Sequence, residues 1–138
     1  MYHFLMSHKI LIIEDDIPLY NLYAAELKLK GYDVSNVSDG LVAYNAVKTQ
    51  KPDLVLLDIV LPGRNGVDIL QDIKSDTSIQ DTKVIMLTNY GGDANINKSV
   101  ELGAEDYILK YNVVPSDVSS KVATILRDTA SVGVALKE

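Results

Sequence analysis

The sequence predicts an α/β fold: a doubly wound sheet of five parallel strands with five helices laid over its two faces. Two observations carry this. Short apolar runs recur along the chain, at Ile10-Leu11-Ile12-Ile13, Leu54-Val55-Leu56-Leu57, Val84-Ile85-Met86-Leu87 and Tyr107-Ile108-Leu109, the pattern of buried strands, and Tyr32 to Val37 reads as a further strand. Between them, apolar residues return at helical spacing, and strands alternating with helices make parallel crossover units.

The first run ends abruptly in Glu14-Asp15-Asp16. Asp16 is a helix cap and Pro18 suits a first helical turn. Leu19, Leu22, Tyr23 and Leu27 follow at helical spacing, and Gly31 closes that helix. After the second strand, Ser38-Asp39-Gly40 is a turn. Leu41 to Lys48 is a short helix with Ala43, Tyr44 and Val47 as inner positions, and Lys51-Pro52 breaks it. The third strand ends at Asp58, and Leu61-Pro62-Gly63-Arg64-Asn65-Gly66 is a loop rich in breakers. Val67, Leu70 and Ile73 mark the next helix. The fourth strand ends at Thr88, Asn89 to Asp93 is a loop, and Ile96 and Val100 lie on a short helix closed near Gly103. The fifth strand ends at Lys110. Pro115 opens the last helix, with Val118, Val122, Ile125 and Leu126 on one face.

The chain of 138 residues suits one domain, with a core over about residues 8–128, a short N-terminal lead-in and a C-terminal tail. A hydrophobic share of 47% supports a sizeable core. The net charge of −6 argues against direct nucleic-acid binding, which needs a basic face. With no cysteine, disulfides, thiolate metal sites and thiol nucleophiles are excluded. No apolar run reaches the roughly 18 residues that span a bilayer, and Met1 to Ser7 does not read as a secretory signal. The expectation is a cytoplasmic protein with no membrane association. No helix-turn-helix or catalytic region follows residue 130, so the chain acts by docking on a partner or is a piece of a longer protein.

Parallel sheets of this kind bind ligands beyond the carboxyl ends of their strands, where the connection order reverses. That rule brings Glu14, Asp15, Asp16, Asp58, Thr88 and Lys110 to one crevice. Three of these carboxylates (Glu14, Asp15 and Asp58), a few ångströms apart, repel by several kcal/mol at an intermediate dielectric. A hard divalent cation offsets that repulsion, and oxygen donors without His or Cys favour Mg²⁺. With Mg²⁺ and Lys110 the site is neutral and accepts a phosphoryl dianion. Asp58 is the natural nucleophile, while the metal, Lys110 and the Thr88 hydroxyl each hold a phosphoryl oxygen. Each residue alone has a plainer explanation: a solvated acidic turn, a helix cap, a capping hydroxyl, a surface lysine. The required residue type at four separate strand ends is what favours chemistry.

At these residues the sequence resembles the response-regulator receiver family. The matching segments are Ile10 to Asp16, Pro52 to Asp58, Leu61-Pro62 with Gly66, Val84 to Thr88 and Gly103 to Lys110. The resemblance implies a flavodoxin-like strand order, 2-1-3-4-5. It further implies that Asp58 is the phosphoacceptor, and that Glu14, Asp15, Asp58 and the Val60 backbone carbonyl hold Mg²⁺. Thr88 is then the switch hydroxyl, Lys110 the phosphate-binding lysine and Tyr107 the switch aromatic. The implied partners are a sensor histidine kinase or phosphotransfer protein, and a downstream protein or second copy docking on about residues 95–127. On this reading the chain is a signalling phosphoacceptor rather than an enzyme, beyond self-catalysed transfer and acyl-phosphate hydrolysis.

Three positions depart from the family pattern. Lys110 is usually followed by Pro and here by Tyr111, which leaves Pro115 to stiffen the loop. Asn89 replaces the usual small residue after Thr88, and Val60 is apolar. Together these predict a long-lived phosphorylated state. A haloacid-dehalogenase-type phosphatase shares the strand-end Asp, Thr and Lys but needs a second Asp where Val60 stands. The alternative function is a receiver-like interaction module that works without phosphorylation. Nucleotide binding is disfavoured, because no glycine-rich phosphate loop follows the first strand and Gly91-Gly92 reads as a mobile turn.

Overall fold

The computed structural model describes residues 7–89 and 94–127. In chain order the elements are β1 (Lys9–Ile13), α1 (Ile17–Leu29), β2 (Asp33–Val37), α2 (Gly40–Gln50), β3 (Leu54–Asp58), α3 (Gly66–Ser75), β4 (Lys83–Thr88), α4 (Ala94–Leu102), β5 (Asp106–Leu109) and α5 (Pro115–Leu126). The strands form one parallel sheet in the order β2-β1-β3-β4-β5, as expected. The expected lead-in, the C-terminal tail and the Gly91-Gly92 turn lie outside the described residues, apart from Ser7 and Arg127.

Alternation along the strands divides the core into two layers. Leu11, Ile13, Val55, Leu57, Val84 and Met86 point to the face covered by α2 and α3, where they meet Ala43, Val47, Val67, Leu70 and Ile73. Ile10, Ile12, Leu54, Leu56, Ile85, Leu87 and Ile108 point the other way, against Leu19, Tyr23 and Leu27 of α1 and Val118 and Val122 of α5. All four residues of the run Leu54 to Leu57 are fully buried. Each such side chain contributes roughly 1.5–3 kcal/mol on burial. That anchors β3 in the sheet centre and holds Asp58 at a rigid strand end.

Caps set the helix ends. Asp16 accepts from the Leu19 amide, with Pro18 in the first turn of α1. At the other end Gly31 (φ +94°) donates to Lys28, and Tyr32 donates to Leu27. This paired bond needs the left-handed residue that glycine supplies. α2 starts at Gly40 and runs to Gln50, past the expected Lys48, because Asp39 caps it and Lys51 takes a left-handed closing conformation (φ 49°).

Two residues read as part of helical stripes lie outside the core. Leu22 is 50% and Val100 55% exposed. α1 buries Leu19, Tyr23, Ala24 and Leu27, a stripe that leaves Leu22 at its edge. α4 turns Ile96 and Ser99 inward, so Val100 faces outward. No helix among the described residues is long and apolar enough to cross a membrane.

Candidate functional site

The parallel register aligns the strand ends. Ile13 pairs with Leu57, Asp58 with Leu87 and Thr88 with Leu109, so Glu14, Asp58, Thr88 and Lys110 reach the same edge of the sheet. Beyond Asp58, Ile59 donates to the Leu87 carbonyl at 3.1 Å, and Gly66 donates to the Ile59 carbonyl at 2.7 Å. The chain thus loops back close behind Asp58 before entering α3. A Cβ at Gly66 would run into the Asp58 carbonyl, so only glycine allows that approach.

Lys110 is held at its backbone from two sides. Its amide donates to the Thr88 carbonyl at 2.8 Å, and the buried Tyr23 hydroxyl donates to its carbonyl at 2.8 Å. On β1, the Glu14 amide donates to the Val37 carbonyl at 3.0 Å. Asn36 donates its side-chain amide to the carbonyls of Ile12 and Glu14.

The side chains converge. Carboxylate oxygens of Glu14, Asp15 and Asp58 lie within 4.8 Å of one another. Glu14 and Asp58 are buried and Asp15 is exposed. The Lys110 Nζ lies 2.9 Å from Glu14 Oε1 and 3.1 Å from Asp58 Oδ2. The Val60 amide faces Asp58 Oδ1 at 3.3 Å, while its side chain is 69% exposed. Thr88 is buried at the end of β4 and Asn89 after it is exposed. Tyr107 is exposed on β5.

Burial pushes the Glu14 carboxyl up to about 7, reinforced by the charge of Asp58 and opposed by the Asp16 amide and Lys110. Burial also raises Asp58, against the charge and hydrogen bond of Lys110. For Lys110, burial works downward, but close pairing with Glu14 and the charge of Asp58 outweigh it, leaving the ammonium above its ordinary value.

The site fits a hard divalent cation. It presents three carboxylates against one ammonium, all with oxygen donors. Glu14 Oε1 is buried and accepts no well-directed hydrogen bond, although the Lys110 ammonium is close by. That oxygen keeps lone-pair capacity that a cation would use.

Glu14, Asp15, Asp58 and Lys110 therefore meet at side-chain level, Thr88 stands at the neighbouring strand end, and the Val60 backbone adjoins Asp58. Tyr107 lies on the outer surface of β5. Sequence reasoning missed the supporting roles of Tyr23 and Asn36, and it placed Asp16 at the crevice without its bond to Tyr111. Tyr23 carried only a core signal, since its hydroxyl reaches a carbonyl 87 residues away.

A parallel sheet in the order β2-β1-β3-β4-β5, with an acidic cluster and one buried Lys gathered at its strand ends, is the arrangement of a receiver-type domain. The family described as "Response regulator receiver domain" matches residues 10–122, and the chain belongs to that family. It is 34% identical over 122 residues to the DNA-binding response regulator MtrA of Mycobacterium tuberculosis, covering 88% of this chain and 52% of that protein. It is 33% identical over 125 residues to the phosphate regulon transcriptional regulatory protein PhoB of Pseudomonas aeruginosa, covering 91% of this chain and 54% of that one. The chain spans about half the length of these relatives. Among solved structures it resembles the BeF3-activated N-terminal receiver domain of Klebsiella pneumoniae RstA, with TM-score 0.78 and 36% identity over 87% of this chain and 99% of that one. It also resembles a CheY-like receiver domain from Methanospirillum hungatei, with TM-score 0.80 and 27% identity over 92% of this chain and 99% of that one. Receiver domains of response regulators are signalling proteins.

Proposed function

We propose that the chain accepts a phosphoryl group on Asp58 from a phosphohistidine of a sensor kinase or phosphotransfer protein, in a cytoplasmic two-component relay. The observation that carries this reading is the placement of Lys110 Nζ between Asp58 Oδ2 and Glu14 Oε1, inside the acidic cluster. An Asp58 carboxylate oxygen attacks phosphorus in line with the histidine nitrogen. The P–N bond breaks, a P–O bond forms, and the histidine ring leaves with its proton taken from solvent. Lys110 is on a backbone held by Tyr23 and Thr88, so its ammonium is ready to receive a phosphoryl oxygen once Asp58 carries the acyl phosphate.

Asp15, Asp58, Glu14 and the Val60 carbonyl are the groups that would hold Mg²⁺. When bound, the ion supplies positive charge to the carboxylates and to the incoming phosphoryl group. Thr88 donates its hydroxyl to a phosphoryl oxygen, and Tyr107 responds by moving inward behind it. That movement alters the face of α4, β5 and α5, within about residues 95–127, where Val100 and Tyr107 are exposed. A downstream protein or a second copy reads the change there. The net charge of −6 over the whole sequence favours a protein partner over nucleic acid.

The test is intact-mass spectrometry after incubation with Mg²⁺ and a phosphorylated histidine kinase or acetyl phosphate, beside Asp58→Asn. One added phosphoryl group, lost in the variant, is the expected result. No uptake from either donor moves the chain to an interaction module that works unphosphorylated.

A further inference from the structure

The position after Lys110 carries a bond that a proline there could not make. The Tyr111 hydroxyl donates to Asp16 Oδ2 at 2.8 Å, joining residues 95 apart in sequence. Tyr111 follows β5 and Asp16 follows β1, and β3 and β4 lie between those two strands in the sheet. The bond therefore spans the crevice rather than joining neighbours.

Asp16 is fixed at three points. Its Oδ2 accepts from Tyr111, its Oδ1 accepts from the Leu19 amide at 3.1 Å, and its own amide donates to Glu14 Oε2 at 3.0 Å. The other oxygen of Glu14 faces Lys110 Nζ at 2.9 Å, and Lys110 is covalently joined to Tyr111. The contacts close a ring: Tyr111, Asp16, Glu14, Lys110 and back to Tyr111. Asp15, the exposed member of the acidic cluster, sits in the chain between two of its members. The Tyr111 ring also lies 5.9 Å from the Lys110 ammonium.

We propose that Tyr111 is a positioning residue: through Asp16 it ties the loop after β5 to the loop after β1 and holds Glu14, Asp15 and Lys110 in the arrangement that takes metal and phosphoryl group. This rests on the phosphoacceptor reading of the same site. Tyr111 acts through Asp16, to which its hydroxyl donates. Holding a multi-residue site in place before it binds lowers the cost of organising it afterwards. Tyr111 is largely exposed, so water competes for the bond and the effect is modest.

The test is Mg²⁺ titration followed by backbone amide NMR shifts, with uptake of phosphoryl group measured alongside, on wild type, Tyr111→Phe, Asp16→Ser and the double variant. Phenylalanine removes only the hydroxyl, and serine keeps a helix-capping oxygen while giving up the one that meets Tyr111. Tyr111→Phe is expected to weaken Mg²⁺ binding about threefold to tenfold, with the Asp16 amide shifted in the metal-free spectrum and the melting temperature nearly unchanged. The double variant is expected to be no worse than Asp16→Ser alone. Unchanged Mg²⁺ affinity in Tyr111→Phe overturns the proposal, as do additive effects in the double variant or a loss that only tracks melting temperature. In each of those cases wild-type uptake persists, so the phosphoacceptor reading survives. A wild type that binds no Mg²⁺ and takes no phosphoryl group removes both.

Discussion

Lys110 and Glu14 meet in the interior, Nζ to Oε1 at 2.9 Å, yet burial raises the Glu14 carboxyl to about 7. Burial costs the Glu14 charge more than one lysine shared with Asp58 returns.

The pH dependence follows from that imbalance. The folded-state value for Glu14 rises from 4.5 to about 7, so folding favours the protonated form. Its contribution to stability is fully present below pH 4.5 and is lost as pH rises through about 7. Mg²⁺ needs the deprotonated carboxylates, so its binding strengthens over the same window. Thermal melts should show a Mg²⁺-induced rise in melting temperature that is small near pH 5 and larger near pH 8. An equal rise at both would contradict the proton competition.

Gly66→Ala should be among the most disruptive single-methyl changes in the chain. The new Cβ meets the backbone carbonyl of Asp58, which cannot rotate aside as a side chain can. A loss of about 3 kcal/mol or more in urea unfolding is expected, together with impaired phosphoryl uptake. A near-neutral result would mean that the loop after β3 relaxes without cost.

Tyr23→Phe removes the buried hydroxyl that donates to the Lys110 carbonyl. Leaving that acceptor unmet should cost about 1–3 kcal/mol. Uptake of phosphoryl group by the still-folded variant should slow, because the Lys110 backbone loses one of its two anchors. Equal uptake rates for variant and wild type would remove Tyr23 from the site.

The phosphorylated state should decay slowly. Val60 offers no polar side chain to orient a water beside Asp58, and the exposed Asn89 follows the buried Thr88. Val60→Asn and Asn89→Ala should each speed loss of the phosphoryl group by roughly threefold or more. The check is the decay of the phosphorylated mass with time, and unchanged decay in both variants sinks the idea.

The strands and most of the helix limits were legible because their signals are local. The buried run Leu54 to Leu57 has no polar residue to give β3 an exposed face. Asp16 with Pro18, and Gly31, mark the two ends of α1 within a few residues of where they act. Helical spacing alone did not separate Leu19 and Tyr23 from the exposed Leu22, because the width of the buried stripe depends on the elements that cover it.

By itself, then, the sequence determined the alternation of five strands and five helices and put Glu14, Asp15, Asp58, Thr88 and Lys110 at strand ends. Hydrophobic period and the residue at each strand terminus are properties of neighbouring residues, and a parallel sheet converts them into one shared edge. Only the tertiary structure decided who partners whom at that edge: Tyr23 with the Lys110 carbonyl, Lys110 between Glu14 and Asp58, and Tyr111 with Asp16 across two intervening strands. Those contacts join residues far apart in the chain, 52 positions for Lys110 and Asp58 and 95 for Tyr111 and Asp16, only once both core layers have closed on the sheet, and a hydroxyl or carboxylate carries no mark of its distant partner in the residues beside it.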